Sequence, residues 1–248
     1  MRIDPLLGES PGPQDGLRLF CFPYAGGNAA SYRGLRRAAP GHLRVCPVEL
    51  PGRGRRRGEE PLTSMGSLVA SLADGLQDFL DRPFALLGHS LGGLVAYELA
   101  AELRERGAPA PAHLFLSAVA APQLTRTRRP LRTAAEAKAE LLAMGGTPPE
   151  VLANEEIMTL ALPVLRADFA VLAGYRHRPR PPLALPLTVF GGRSDEVAPP
   201  EVLSGWREHS DRPVTTRLFP GGHFFLHTAA AEVVRAVEHG LGLLGTAR

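Results

Sequence analysis

Apolar residues in this 248-residue chain gather into short continuous runs, separated by longer stretches of helical period. The runs LRLFCFP (17–23), HLRVCPVEL (42–50), FALLGHS (84–90), AHLFLSAVA (112–120), LPLTVFGG (185–192) and PVTTRLFP (213–220) end at Pro, Gly or small polar residues. Most read as strands buried on both faces. Between them, Met65, Leu68, Val69, Leu72, Leu76, Phe79 and Leu80 recur at helical spacing up to the break at Pro83. LGGLVAYELAAELRERG (91–107) predicts a strong helix closed by Gly107. Further helices are predicted near 29–39, 199–209 and 228–243.

Strand–helix alternation with continuous apolar strands predicts an α/β protein whose mostly parallel sheet is covered by helices on both faces. The alternation stops over 122–182. That stretch opens on basic residues and contains helical segments near 133–144 and 155–173. It reads as a helical lid inserted into a core made of 1–121 and 183–248. A Pro/Gly-rich leader precedes the first strand.

The sharpest chemical feature falls at the end of the third strand. Gly88-His89-Ser90-Leu91-Gly92 matches G-x-S-x-G, with an apolar strand before it and a helix after it. A turn of this kind holds a serine at a strained backbone angle, and side chains two residues to either side would strike neighbouring backbone. Ser90 is therefore a candidate nucleophile, although a serine in this place also serves as an ordinary helix N-cap. No Gly-Lys-[Ser/Thr] follows, which excludes a phosphate-binding loop.

A serine hydroxyl needs a base to take its proton, and in this architecture an acid and then a histidine follow in chain order. Asp195 stands just past the fifth strand in VFGGRSD, and His223 follows the last strand in LFPGGHFF. Glu196 and Asp211 compete for the acid, and His227 for the base. His89 reads as a packing residue beside the turn. The loop Phe22-Pro23-Tyr24-Ala25-Gly26-Gly27 lies where a backbone N–H can pair with that of Leu91 around an oxyanion.

Composition narrows the setting. Charged residues make up 21% and the net charge is +3. No nucleic-acid-binding signature accompanies the arginines, so acidic proteins suit them as well and no nucleic acid is expected. The two cysteines, Cys21 and Cys46, lie in apolar runs, which excludes a disulfide scaffold or a zinc module. No uninterrupted apolar run approaches the roughly 20 residues of a membrane span, and the leader lacks a secretory pattern. A cytoplasmic monomer is the expectation.

FPYAGGNAASY, ELPGRGRRR, GHSLGG, LRADFAVLAGY, FGGRSDE and FPGGHFFL occur in this order from about Leu17 to the last helix. Together they resemble the type II thioesterases of polyketide and nonribosomal peptide synthesis, free-standing α/β-hydrolases. The resemblance implies Ser90 as nucleophile, Asp195 as acid and His223 as base. It also implies the N–H groups of Ala25 and Leu91 as oxyanion hole, and a lid that shapes the acyl pocket. It implies hydrolysis of acyl thioesters on the phosphopantetheine arm of acyl or peptidyl carrier proteins, clearing stalled or misprimed synthases. No metal or organic cofactor is expected, since the phosphopantetheine arrives with the substrate. The lack of long flanking linkers favours the free-standing form. Arg53, Arg55, Arg56 and Arg57, with Arg126, Arg128, Arg129 and Arg132, are either solvated surface or a docking patch for an acidic carrier. A small-molecule carboxylesterase or lipase with the same catalytic parts, and a non-catalytic hydrolase-fold binding protein, are the competing readings.

Overall fold

The computed structural model describes residues 3–9, 12, 16–125 and 129–243, so Arg126 and Arg128 of the expected basic patch lie outside the described residues. The leader forms a small antiparallel ladder, β1 (Ile3–Asp4) with β2 (Gly8–Glu9). Asp4 closes it by accepting the N–H groups of Leu6 and Leu7 at 2.8 and 3.0 Å. Leu6 and Leu7 are buried, and the Leu6 carbonyl accepts the Glu49 N–H at 2.8 Å. Two apolar residues in a polar leader are enough to dock it.

Six strands form one sheet: β3 (Leu17–Phe22), β4 (Leu43–Pro47), β5 (Phe84–His89), β6 (Leu114–Ser117), β7 (Leu187–Gly192) and β8 (Val214–Phe219). Their spatial order is β4-β3-β5-β6-β7-β8, and every neighbouring pair is parallel. The pleat sends successive side chains to opposite faces. Leu19, Cys21, Ala85, Leu87 and Phe115 meet Tyr32, Leu35 of α1 (Arg33–Ala38) and Val233, Val234 and Val237 near the C-terminus. Phe20, Phe22, Leu86, Leu114 and Leu116 face the other way, towards α2 (Met65–Leu76) and α3 (Leu91–Glu105). From β3 to β7 both faces are thus largely dry, which is why those strand sequences lack polar alternation, whereas the edge strand β8 exposes Thr215, Thr216 and Arg217.

After β3 the chain moves to one side for β4 and then to the other for β5. The reversal opens a crevice at the carboxyl ends of β3 and β5, the usual place for a site in an open parallel sheet. Between β6 and β7 stand α4 (Ala134–Met144), α5 (Pro149–Ala153) and α6 (Glu155–Gly174). Thr133 caps α4 by accepting the Glu136 N–H at 3.1 Å, with Glu136 reaching back to the Thr133 N–H at 3.1 Å. Ala137, Leu152, Met158 and Leu165 form a small core of this insertion. Beyond α6, Glu98 of α3 accepts Tyr175 Oη and Arg180 Nη2, both at 2.7 Å.

α6 is long and apolar enough, by length and composition, to cross a membrane. Here Val164, Leu165, Ala167, Asp168, Phe169 and Val171 of that helix are buried within the protein. Residues 199–209 form α7 (Pro200–Leu203) and a 3-10 turn, and the helix predicted near 228–243 is α9 (Ala230–Gly240), preceded by a separate short turn, α8 (Phe225–Thr228).

Candidate active site

β5 delivers Ser90 into the crevice. Its φ of 54° and ψ of −119° lie outside the ordinary regions for a side-chain-bearing residue, and that strain is held in place by hydrogen bonds. The Ser90 N–H donates to the Ser117 carbonyl at 2.8 Å, and the Ser90 carbonyl accepts the Gly93 N–H at 2.8 Å. A Cβ on Gly92 would stand 2.0 Å from the Phe22 carbonyl oxygen, so glycine alone lets β3 pass over this turn.

Two later loops meet at the same edge. A Cβ on Gly192 would stand 2.3 Å from the Gly222 carbonyl oxygen, so the loop after β8 lies directly on the end of β7. Asp195 is held by its own loop: Oδ1 accepts the N–H groups of Val197 and Ala198 at 2.9 and 3.0 Å. His223 Nδ1 lies 2.9 Å from Asp195 Oδ2 and 3.1 Å from Oδ1, and His223 Nε2 lies 3.0 Å from Ser90 Oγ. Asp195 and His223 are buried, whereas Ser90 is partly open to the crevice. A carboxylate against Nδ1 orients the ring so that Nε2 faces the hydroxyl, the arrangement of an activated serine.

The competing residues are placed elsewhere. His227 Nε2 lies 3.2 Å from the Tyr24 hydroxyl, and burial lowers its pKa. Glu196 is an exposed residue lining the cleft, and Asp211 sits beside Arg212 at 3.5 Å. His89 is fully buried with Nδ1 2.8 Å from Ser117 Oγ. Burial, then the neighbouring His223 and His227, hold its pKa well below the usual histidine value, so it is a neutral packing group.

The loop after β3 folds back on itself. The Gly27 N–H donates to the Tyr24 carbonyl at 2.8 Å, and the Gly26 N–H donates to Asp168 Oδ2 at 2.7 Å. The Ala25 N–H has no hydrogen-bond partner among the described residues. Leu91 opens α3, where the first N–H groups have no acceptor within the helix and the helix dipole favours negative charge.

One expectation is corrected. Arg53 is not part of a solvent-facing arginine patch. It is buried and holds Asp168 through Nη1 at 2.8 Å and Nη2 at 2.7 Å, while Nη1 also donates to the Gly27 carbonyl at 3.0 Å. A charge in this place persists only because its partner neutralises it. Arg55, Arg57, Arg129 and Arg132 are exposed, and Arg56 pairs with Glu59 at 2.6 Å. Sequence reading missed the role of Asp168. Its signal is position: it lies on the buried side of α6 with Val164 and Val171, where a carboxylate requires a buried cation.

Ser90 opens onto a cleft of about 500 Å³. Ala118 and Val119 line it from just past the end of β6, Leu124, Ala143 and Leu172 from the insertion, and Val202 from α7. Ala118 shares the positive φ of Ser90, at 51°. Most of the lining residues are apolar, with Ser90, Thr125 and Glu196 as polar members, so aliphatic surface lies beside the nucleophile for an acyl chain. Among the described residues, no three His, Cys, Asp or Glu side chains are grouped to hold a metal ion.

Residues 17–241 match the family described as the thioesterase domain. The sequence is 38% identical over 220 residues to the gramicidin S biosynthesis protein GrsT of Aneurinibacillus migulanus, covering 88% of this chain and 86% of that one. The RedJ thioesterase of the prodiginine pathway in Streptomyces coelicolor superposes with a TM-score of 0.87 at 37% identity, covering 94% of each chain. The type II thioesterase YbtT of the yersiniabactin NRPS/PKS pathway superposes with a TM-score of 0.83 at 33% identity, covering 94% of this chain and 95% of that one.

Proposed function

The chain belongs to the thioesterase-domain family, and on that premise we propose that Ser90, His223 and Asp195 hydrolyse acyl thioesters carried on the phosphopantetheine arms of synthase carrier proteins. Among its relatives GrsT is a gramicidin S biosynthesis protein and YbtT a type II thioesterase of an NRPS/PKS pathway, and the chain is an editing thioesterase of that class. The observation that carries the reading of the site is the contact of His223 Nε2 with Ser90 Oγ at 3.0 Å, where Ser90 lines a cleft.

In the proposed reaction, His223 takes the Ser90 proton as Oγ attacks the thioester carbonyl. Asp195 keeps the ring in the tautomer that presents Nε2 and stabilises the imidazolium. The developing oxyanion lies between the N–H groups of Ala25 and Leu91, each donor of this kind contributing roughly 3–4 kcal/mol to the barrier reduction. The sulfur leaves as Oγ becomes acylated and takes up the proton that His223 had accepted, which returns Nε2 to its neutral form. A thiol of pKa about 8.5 needs less protonation than an amine, so the step demands little general-acid help. Water then gives a proton to His223 and attacks the acyl-serine, and His223 returns that proton to Ser90 Oγ as the acid leaves. The acyl chain lies in the cleft, so the insertion over 122–182 acts as a lid that sets chain preference. The phosphopantetheine enters with the substrate, and the residues themselves require no metal or organic cofactor for these steps. The carrier protein is the macromolecular partner.

Mass spectrometry of acylated carrier proteins tests the proposal. The wild type is expected to remove the acyl mass, and Ser90→Ala to leave it in place. Faster turnover of simple oxygen esters with no gain from carrier-linked thioesters would make the protein a carboxylesterase. Failure of a fluorophosphonate to modify Ser90 in folded protein would make it a binding protein.

A further inference from the structure

The serine, histidine and aspartate do not account for the most buried arginine–carboxylate pair among the described residues. Asp168 is 1% exposed and Arg53 7%. Asp168 sits in α6 of the insertion, whereas Arg53 sits in the loop after β4. They converge on a third segment, the loop after β3 that carries Ala25.

The contacts form a clamp. Asp168 Oδ1 accepts Arg53 Nη2 at 2.7 Å. Asp168 Oδ2 accepts both Arg53 Nη1 at 2.8 Å and the Gly26 N–H at 2.7 Å. Arg53 Nη1 reaches on to the Gly27 carbonyl at 3.0 Å. One ion pair therefore holds two consecutive residues of the loop by their backbone. The Gly27 N–H, in turn, donates to the Tyr24 carbonyl at 2.8 Å. In a planar trans peptide the N–H points opposite to the C=O. Fixing the Tyr24 carbonyl therefore fixes the direction of the Ala25 N–H.

α6 touches the same loop a second time. Gly26 has φ +77°, and a Cβ there would stand 2.6 Å from Leu165 Cδ2. Leu165 belongs to the small core of the insertion. The loop is thus seated against α6 by a charge pair and by an apolar contact, three residues apart on one helix.

We propose that Asp168, locked to Arg53, is a positioning residue that aims the Ala25 N–H at the reacting carbonyl and makes this aim depend on the seating of α6. The inference rests on the reading of Ala25 as an oxyanion donor given above. Its consequence is that the insertion governs rate as well as chain preference. If α6 lifts, Gly26 loses its acceptor and the donor is released.

Asp168→Asn and Arg53→Lys test this. Asn keeps the shape but sets an amide N–H₂ or a neutral oxygen against Arg53, and Lys keeps the charge but loses the two-pronged grip. Two rates are read per mole of folded protein. One is modification of Ser90 by a small fluorophosphonate, which needs the oxyanion donors but does not fill the cleft. The other is hydrolysis of an acyl carrier thioester, resolved into kcat and KM. Both variants are expected to lower kcat and the fluorophosphonate rate together by about 10- to 100-fold, the scale of a small misplacement. KM stays within about threefold. The low-field proton resonance of His223 Nδ1–H is expected to persist, and the double variant to be no slower than the slower single one, because the two residues act as one unit.

A loss of thermal stability with both rates unchanged would overturn the proposal, as would effects that multiply independently. If Asp168→Asn does not fold, the rates of Arg53→Lys decide alone. A wild type that reacts with fluorophosphonate but leaves carrier thioesters intact defeats the thioesterase reading and leaves this inference to the fluorophosphonate rates. A wild type that does not react with fluorophosphonate overturns both.

Discussion

A Cβ placed on Gly88 would stand 1.9 Å from the carbonyl oxygen of Gly92. The obstacle is backbone on the first turn of α3, so no side-chain rotation relieves it. Gly88→Ala must push the helix or the strand, and Ser90 lies between them. Overpacking of this kind costs about 1–3 kcal/mol or more, and each kcal/mol lowers Tm by roughly 2–4 °C in a chain of this size. Displacing Oγ from His223 is expected to lower turnover by about 100-fold or more. Thermal unfolding and fluorophosphonate labelling measure the two effects; a near-native Tm with full labelling would mean that the turn tolerates a side chain.

Ala143 lines the cleft from the last turn of α4. A ring at this position fills space that a long acyl chain needs. Ala143→Phe is expected to leave acetyl thioesters nearly unaffected while lowering kcat/KM for longer chains. Each methylene denied burial is worth about 0.8 kcal/mol, roughly fourfold in rate. Competition between acetyl and octanoyl thioesters checks this, and equal losses on both would place the acyl group elsewhere.

Acid weakens the fold through buried histidines. His113 stacks on Phe115 at 4.3 Å with Nε2 2.8 Å from Thr188 Oγ1, and burial lowers its pKa to about 4. His209 is lowered to about 4 by burial, then by His177 and Arg180. In the unfolded chain both titrate near about 6.5, so protons bind the unfolded state first. Their contribution to stability is complete above that value and is lost as pH falls towards about 4, with a slope approaching 1.4 kcal/mol per pH unit for each histidine. Urea unfolding at pH 7.5, 6 and 5 is expected to give a shallower loss for His113→Gln than for the wild type. Parallel slopes would remove His113 from the account.

Arg55, Arg57, Arg129 and Arg132 are exposed. If they steer an acidic carrier, salt screens them, with a Debye length of about 8 Å at physiological ionic strength. Arg55→Glu with Arg57→Glu is then expected to lower kcat/KM for carrier-linked substrate several-fold. Turnover of a short free thioester stays unchanged. A carrier kcat/KM flat with ionic strength would leave these arginines as solvated surface.

Much of this molecule was legible along the chain because its signals are local. A continuous apolar strand, a G-x-S-x-G turn and a capped helix each occupy a few adjacent residues, so all six sheet strands and the Ser90 turn could be placed directly. Asp195 and His223 were legible for a related reason: each follows a strand whose end must lie at the same rim. The leader was less legible, since Leu6 and Leu7, flanked by Pro5 and Gly8, are too short a run to show a period, yet both are buried. α9 was legible from its helical period, whereas the single turn α8 is too short to show one.

The sequence by itself determined the layered α/β core and the strained Ser90 turn, because short-range sterics and hydrophobic period fix them before the chain is folded. Only the tertiary structure decided which charges are spent inside. Arg53 and Asp168 are 115 residues apart, and each resembles its solvated neighbours until the strand crossover and the α6 seat bring them onto the same two backbone groups. A buried charge must find one specific partner across the fold, and no local pattern names that partner.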